Sequence, residues 1–203
     1  MGKIVYKFNA KDRNLDDFEY IYSLDPKVHK KFDLREDCIA NYSEHDPDSV
    51  SYVSIITKKK YKCGTRVSTK CSFTGSGAPL IVFTNDVQRS EDGTLLYGLQ
   101  FECVAHAGGC NVWRIVPAPG LKTPIRTVLI SFVEFPIEEG SIVDLSATIE
   151  EVDVEWFLCR RKLTISINGV NFGCMHVDLP EEFHVGITGC ESKNKFYEMT
   201  IED

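Results

Sequence analysis

Apolar and polar positions along this chain alternate in short runs, and the period is that of strands. Segments rich in Val, Ile, Thr, Phe and Tyr recur between turn residues: IVYKF (4–8), SYVSIIT (51–57), TRVSTKCSF (65–73), PLIVFTND (79–86) and TLLYGLQFECVA (94–105). The series continues with CNVWRIV (110–116), RTVLISFVEF (126–135), IVDLSATIE (142–150), VEWFLC (154–159), LTISI (163–167) and a closing pair within 183–202. Strands so evenly spaced predict an antiparallel sandwich or barrel. Alternation also assigns faces. Tyr97, Leu99, Phe101 and Cys103 fall on one side of their strand, and Gly98, Gln100 and Glu102 on the other. Leu163, Ile165 and Ile167 alternate with Thr164 and Ser166, after which Asn168-Gly169 supplies the positive φ angles of a tight hairpin turn. Helical spacing surfaces only around residues 15–24, where Leu15, Phe18 and Tyr22 predict one short turn of helix. The GSG run at 75–77 lacks the Lys-Ser/Thr of a phosphate loop and predicts a hairpin turn.

No repeat, low-complexity tract or Pro/Ser-rich linker divides the 203 residues, so one domain over 1–203 is expected. An apolar share of 43% with 11% aromatic residues is enough for a packed core and excludes the disordered class. The net charge of -7 repels phosphates and anionic lipid, which argues against nucleic acid and membrane partners and favours a carbohydrate or other neutral small ligand. No stretch approaches the ~18 apolar residues of a membrane helix. The opening MGKIVYKFNAKDRNLDDF has no apolar core of a secretory signal, so a cytoplasmic chain is expected. In that compartment the eight cysteines, none spaced C-x-x-C, read as reduced thiols. The five histidines show no HExxH-like spacing; no metal and no cofactor are implied. The basic runs Lys58–Lys60 and Arg160–Lys162 read as solvated turn charges.

The order of these features resembles the concanavalin A-like lectin/glucanase superfamily over nearly the whole chain. KFDLREDCIANY (31–42) looks like opening strands before a strand pair, here SYVSIITKKKYKCGTRVSTKCSF (51–73). EGSIVDLSATIE (139–150), a polar break and LTISINGVNFG (163–173) look like the late pair, and FHVGITGCESKNKFYEMTIED (183–203) looks like the closing strands. The resemblance implies an all-β, two-sheet jelly roll whose last strand pairs with the first, IVYKFNA, leaving fewer edges open. It also implies a ligand on the concave sheet. Three functions follow from it: a non-catalytic carbohydrate-binding, lectin-like domain; a glycoside hydrolase or related sugar-processing enzyme; and a structural or subunit-interaction domain.

Two constellations carry candidate chemistry. EVDVEW (151–156) reads E-x-D-x-E, the spacing with which glucanases of the superfamily present their carboxylates from one strand. Here, however, it stands within about a dozen residues of the Asn168-Gly169 turn, closer than in those enzymes, and the apolar parity shifts between Ile149 and Val152. A solvated bend is the expected role. The second constellation is Gln100, Glu102, His106, Asn111, Trp113 and Arg114, with Arg66 on an earlier strand. A hairpin turning through His106 to Gly109 would set these polar groups side by side as a groove floor. Sugars are held by a flat aromatic against the pyranose and by planar polar groups on vicinal hydroxyls. On a regular strand Trp113 and Arg114 face opposite ways, so only one can serve. A core Trp113 is the expected arrangement, with Arg114 in the groove beside Gln100 and Glu102.

Overall fold

A computed structural model of the chain describes residues 2–12, 15–21, 30–87, 100–116, 125–152 and 161–203, apart from the side chains of Gln100, Phe101, Glu102 and Cys174. Its strands, in chain order, are β1 (Lys3–Lys7), β2 (Phe18–Ile21), β3 (Asp33–Leu34), β4 (Ile39–Ala40), β5 (Val53–Thr57), β6 (Arg66–Thr74), β7 (Ala78–Thr84) and β8 (Gln100–His106). There follow β9 (Gly109–Val116), β10 (Ile125–Glu134), β11 (Val143–Glu151), β12 (Arg161–Ile167), β13 (Val170–Val177), β14 (His184–Cys190) and β15 (Lys193–Glu202). They form two antiparallel sheets. The eight-stranded one runs β13-β12-β11-β6-β15-β4-β3 with β1 also on β15, and the seven-stranded one runs β10-β9-β8-β7-β14-β5-β2. Of the sandwich and barrel that the alternation allows, the arrangement is the sandwich, the two-sheet jelly roll that the resemblance implies.

The core lies between the sheets, as the period-two pattern requires. From the eight-stranded sheet come Val67, Cys71, Leu145, Ala147, Ile149, Leu163, Ile165 and Phe196; from the other, Ile55, Ile81, Phe83, Cys103, Val112 and Ile187. Phe83 meets Phe183 edge to face at 5.8 Å, and Phe32 meets Phe196 at the same distance. Each such ring contributes about 1.5–3 kcal/mol by leaving water. The Asn168-Gly169 turn has φ of 50° and 78°, both positive as that hairpin demands, and joins β12 to β13. β1 pairs with β15 from Lys3↔Glu202 to Lys7↔Glu198, closing first strand on last.

Four local expectations give way. Residues 18–21 are strand β2, paired to β5 from Phe18↔Thr57 to Ile21↔Ser54, and not helix. Phe18 packs edge to face on Tyr6 at 4.8 Å, so tertiary pairing overrides a weak helical spacing. Segments 51–57 and 65–73 do not pair with one another, because β5 and β6 belong to different sheets. Likewise the GSG run is no hairpin: Gly75, at φ 62°, carries the chain from β6 in one sheet to β7 in the other. Of the basic runs, Lys58–Lys60 keep to a turn, whereas Arg161 and Lys162 open β12, where Lys162 pairs across to Glu150 at 2.8 Å. Tyr97 and Leu99, the segment 154–159 and Cys159 lie outside the described residues.

Candidate functional site

The hairpin of β8 and β9 turns at Ala107-Gly108, with His106 opposite Gly109, Val104 opposite Asn111 and Glu102 opposite Trp113. Positions directly opposed share a face. Cys103, Ala105, Cys110 and Val112 are therefore turned into the core, where all four are fully buried, and Val104, His106, Asn111, Trp113 and Ile115 are turned outward. On that outer face they line a cleft of about 470 Å³. Its floor is apolar: Ala78, Leu80 and Val104 pack with Trp113 and Cys190 into a cluster separate from the main core. Polar and aromatic groups stand around the floor. Tyr52 comes from the approach to β5, Arg126 from β10 and Glu191 from the turn between β14 and β15.

Local bonds fix several of these groups. The Trp113 indole N–H donates to Asn111 Oδ1 at 3.0 Å, a contact that two residues on one strand face can make. This holds the ring half-buried and commits the amide oxygen. His106 Nδ1 lies 3.0 Å from the carbonyl of Ala107, and its ring stacks on Phe132 at 5.5 Å. Gly109 makes that stack possible, since a Cβ there would overlap the Val133 backbone and the Phe132 ring. Glu191 has a φ of 56°, unusual for a residue with a side chain. A buried amide pair holds it there. Asn41 Nδ2 donates to the carbonyls of Ser51, Glu191 and Ser192 at 2.9, 3.2 and 3.0 Å, and Asn41 Oδ1 accepts from the Asn194 N–H at 2.8 Å.

No protein-family model and no curated protein sequence matches the chain. Solved structures do. A glycoside hydrolase family 16 endo-glucanase from Bacteroides ovatus, in complex with G4G3G-2F-DNP, superposes with a TM-score of 0.58 at 11% identity, over 98% of this chain and 99% of that one. A legume lectin-like domain from Entamoeba histolytica gives 0.58 at 11%, over 98% and 96%. The carbohydrate-binding module CBM66 from Bacillus subtilis gives 0.54 at 13%, over 75% and 82%. The chain has the concanavalin A-like lectin/glucanase fold. At these identities the likeness is one of fold, and glycan-binding modules and glycoside hydrolases share it.

Within the concanavalin A-like frame the residues expected from the sequence separate into three groups. His106, Asn111 and Trp113 come together in the cleft. Gln100 and Glu102 take the register positions opposite Ile115 and Trp113, and their side chains lie outside the described residues. Arg114 and Arg66 stand elsewhere. Trp113 faces the cleft and not the core, which reverses the expected parity: Arg114 opposes Phe101 and reaches Asp178, with Nε–Oδ1 at 3.1 Å and Nη2–Oδ2 at 2.5 Å. Asp178 follows β13, so this two-pronged pair ties the seven-stranded sheet to the eight-stranded one. The hydrogen bond from Arg114 holds the Asp178 carboxyl below its ordinary value. Arg66 is on β6 in the eight-stranded sheet, 3.6 Å from Glu202 and 3.5 Å from Ser146 Oγ.

Glu151 ends β11 opposite Arg161, also in the eight-stranded sheet, and Asp153 to Trp156 lie outside the described residues. Sequence reasoning missed Tyr52, Arg126, Cys190 and Glu191, because each reaches the cleft from a different element. Glu191 and the Asn41–Asn194 pair carry no local signal, being brought together across some 150 residues. Among the described residues, no group of three His, Cys, Asp or Glu side chains converges as a metal site would require.

Proposed function

We propose that the chain is a lectin-like carbohydrate-binding domain that takes a glycan in the cleft on the outer face of its seven-stranded sheet. The observation that carries this reading is the half-buried Trp113 ring, locked by Asn111 Oδ1 over an apolar floor and flanked by Tyr52, Arg126 and Glu191. A pyranose offers that site one apolar face for the indole and a rim of hydroxyls for planar polar groups. Neutral glycans also suit a chain with a net charge of -7.

Lectin-like binding needs the aromatic ring and planar polar groups of the cleft, whereas hydrolysis adds a demand for paired carboxylates. Retaining hydrolysis needs two carboxyls about 5–5.5 Å apart, and inversion needs about 6.5–9.5 Å. Among the described side chains lining the cleft, Glu191 is the one carboxylate. We further propose a reducing compartment. Cys38, Cys71 and Cys110 are buried free thiols, and burial pushes the Cys38 thiol up to about 12 and that of Cys110 to about 11. Thiols so protected stay protonated and inert.

A glycan array followed by calorimetry tests the binding function. The expected result is saturable binding of an oligosaccharide with no release of reducing ends. Hydrolysis of the bound sugar, lost in Glu102→Gln or Glu191→Gln, would replace the lectin reading by that of a glycoside hydrolase.

A further inference from the structure

The seven-stranded sheet ends at β10, and among the described residues no strand pairs with the free side of that strand. Such an edge is normally short, charged or covered. β10 is ten residues long, IRTVLISFVE, and holds Ile125, Val128, Leu129 and Phe132, four of the eight exposed large apolar side chains among the described residues. Its two charges are Arg126 and Glu134, each four residues from Ile130.

The faces of β10 follow from its register on β9. Arg126 opposes Ile115 and Val128 opposes Trp113, both cleft-lining positions; Thr127 opposes Arg114 on the other face. Irregularities then fall between Val128 and Ile130 and between Ile130 and Val133, each adding one residue to β10. Beyond the first, Ile130 opposes the buried Val112, facing the core; beyond the second, Val133 opposes the buried Cys110, also facing the core. Phe132 stacks on the cleft-lining His106, and Glu134 opposes Gly109 on that same outer face. Read outward from Ile130, the pattern is the same in both directions. Positions 126 and 134 face out, 127 and 133 face in, 128 and 132 face out, and the bulged 129 and 131 flank the centre.

We propose that β10 pairs antiparallel with β10 of a second copy of this chain, about a two-fold axis at Ile130, so that two seven-stranded sheets become one continuous sheet. On that axis Arg126 of each copy meets Glu134 of the other on the outer face, giving two cross-strand ion pairs. Val128, 39% exposed, meets Phe132, 53% exposed, and Thr127 meets Val133 on the inner face. A closed two-fold requires this kind of self-complementarity. Bulges ordinarily blunt an edge, but here each bulge faces its counterpart, so neither interrupts the pairing. The dimer would present both clefts on one side of a single sheet, and so suit a ligand with repeated sugar units.

Sedimentation equilibrium from low to high micromolar concentration tests the pairing without any sugar, so its outcome is separate from that of the glycan reading. The wild-type chain should show a monomer–dimer equilibrium. Glu134→Arg sets Arg against Arg at both ends and should weaken association roughly tenfold or more, while Arg126→Glu combined with Glu134→Arg restores it. Glu134 is exposed, and an unchanged thermal midpoint confirms that the variants fold. A wild-type monomer at every concentration would overturn the proposal. So would a dimer indifferent to Glu134→Arg, or one that the double exchange fails to restore.

Discussion

β7 and β10 are written in nearly the same alphabet, APLIVFT against IRTVLISFVE, yet every residue of β7 is buried and none of β10 is. β7 lies between β8 and β14 with apolar layers on both sides: Ile81 and Phe83 in the main core, Ala78, Leu80 and Val82 in the smaller cluster under the cleft. Among the described residues β10 has one neighbour and ends the sheet. Hydrophobicity thus states how well a segment fits a sheet, whereas position in the sheet decides what that fit is worth.

Substitution should expose the difference most sharply in the aromatic residues. Phe83→Ala leaves a cavity beside Phe183 and is expected to cost about 3–5 kcal/mol of unfolding free energy in urea titrations. Phe132→Ala on β10 should cost less than about 1 kcal/mol, since its ring is largely in solvent already. Equal losses at the two sites would refute the contrast.

Asn41→Ala probes the boundary between scaffold and site. It removes the bonds from a buried amide to the part-buried carbonyls of Ser51, Glu191 and Ser192, so about 1–3 kcal/mol should be lost, and Glu191 should leave the cleft rim. The denaturation midpoint and the affinity for glycan should fall together. A stable Asn41→Ala protein with full affinity would show that the clamp does not position the rim.

The smallest effect belongs to the pair that joins the sheets. Asp178 has its folded value lowered by Arg114, so its stabilisation is complete above the ordinary carboxylate value and is lost as pH falls through the lowered one. Both groups are partly exposed, with side-chain exposures of 31% and 41%, so the contribution is under ~1 kcal/mol and shrinks with added salt. In Asp178→Asn this part of the acid dependence should vanish. An unchanged pH profile for unfolding would assign Arg114 no role in tying the sheets.

The same contrast explains what could be read in advance. The strand-rich sandwich, the Asn168-Gly169 hairpin and the hairpin turning at His106–Gly109 follow from alternation and turn chemistry, which are local, whereas the pairing of first strand with last comes from the family resemblance. Sheet membership does not. The separation of β5 from β6, and the passage between sheets at Gly75, depend on partners far away in the chain. The candidate cleft was legible where it lay on one hairpin, as with His106, Asn111 and Trp113. Parity was the harder matter: Trp113 and Arg114 alternate correctly, but alternation cannot say which face is the core when both carry apolar neighbours. On β9 the outer face holds Trp113 and Ile115 over the apolar floor of the cleft, so a core-like pattern marks the cleft side. Tyr52, Arg126 and Glu191 converge through tertiary structure alone.

The central claim is that the outer face of the seven-stranded sheet, and not that of the eight-stranded sheet, receives the sugar. Calorimetric titration of the best array glycan into the wild-type chain, Trp113→Ala and Arg66→Ala decides it. The expected result is loss of measurable binding in Trp113→Ala with an intact fold, and wild-type affinity in Arg66→Ala, whose guanidinium lies by Glu202 on the other sheet. Wild-type affinity in Trp113→Ala, or binding lost only in Arg66→Ala, would contradict it.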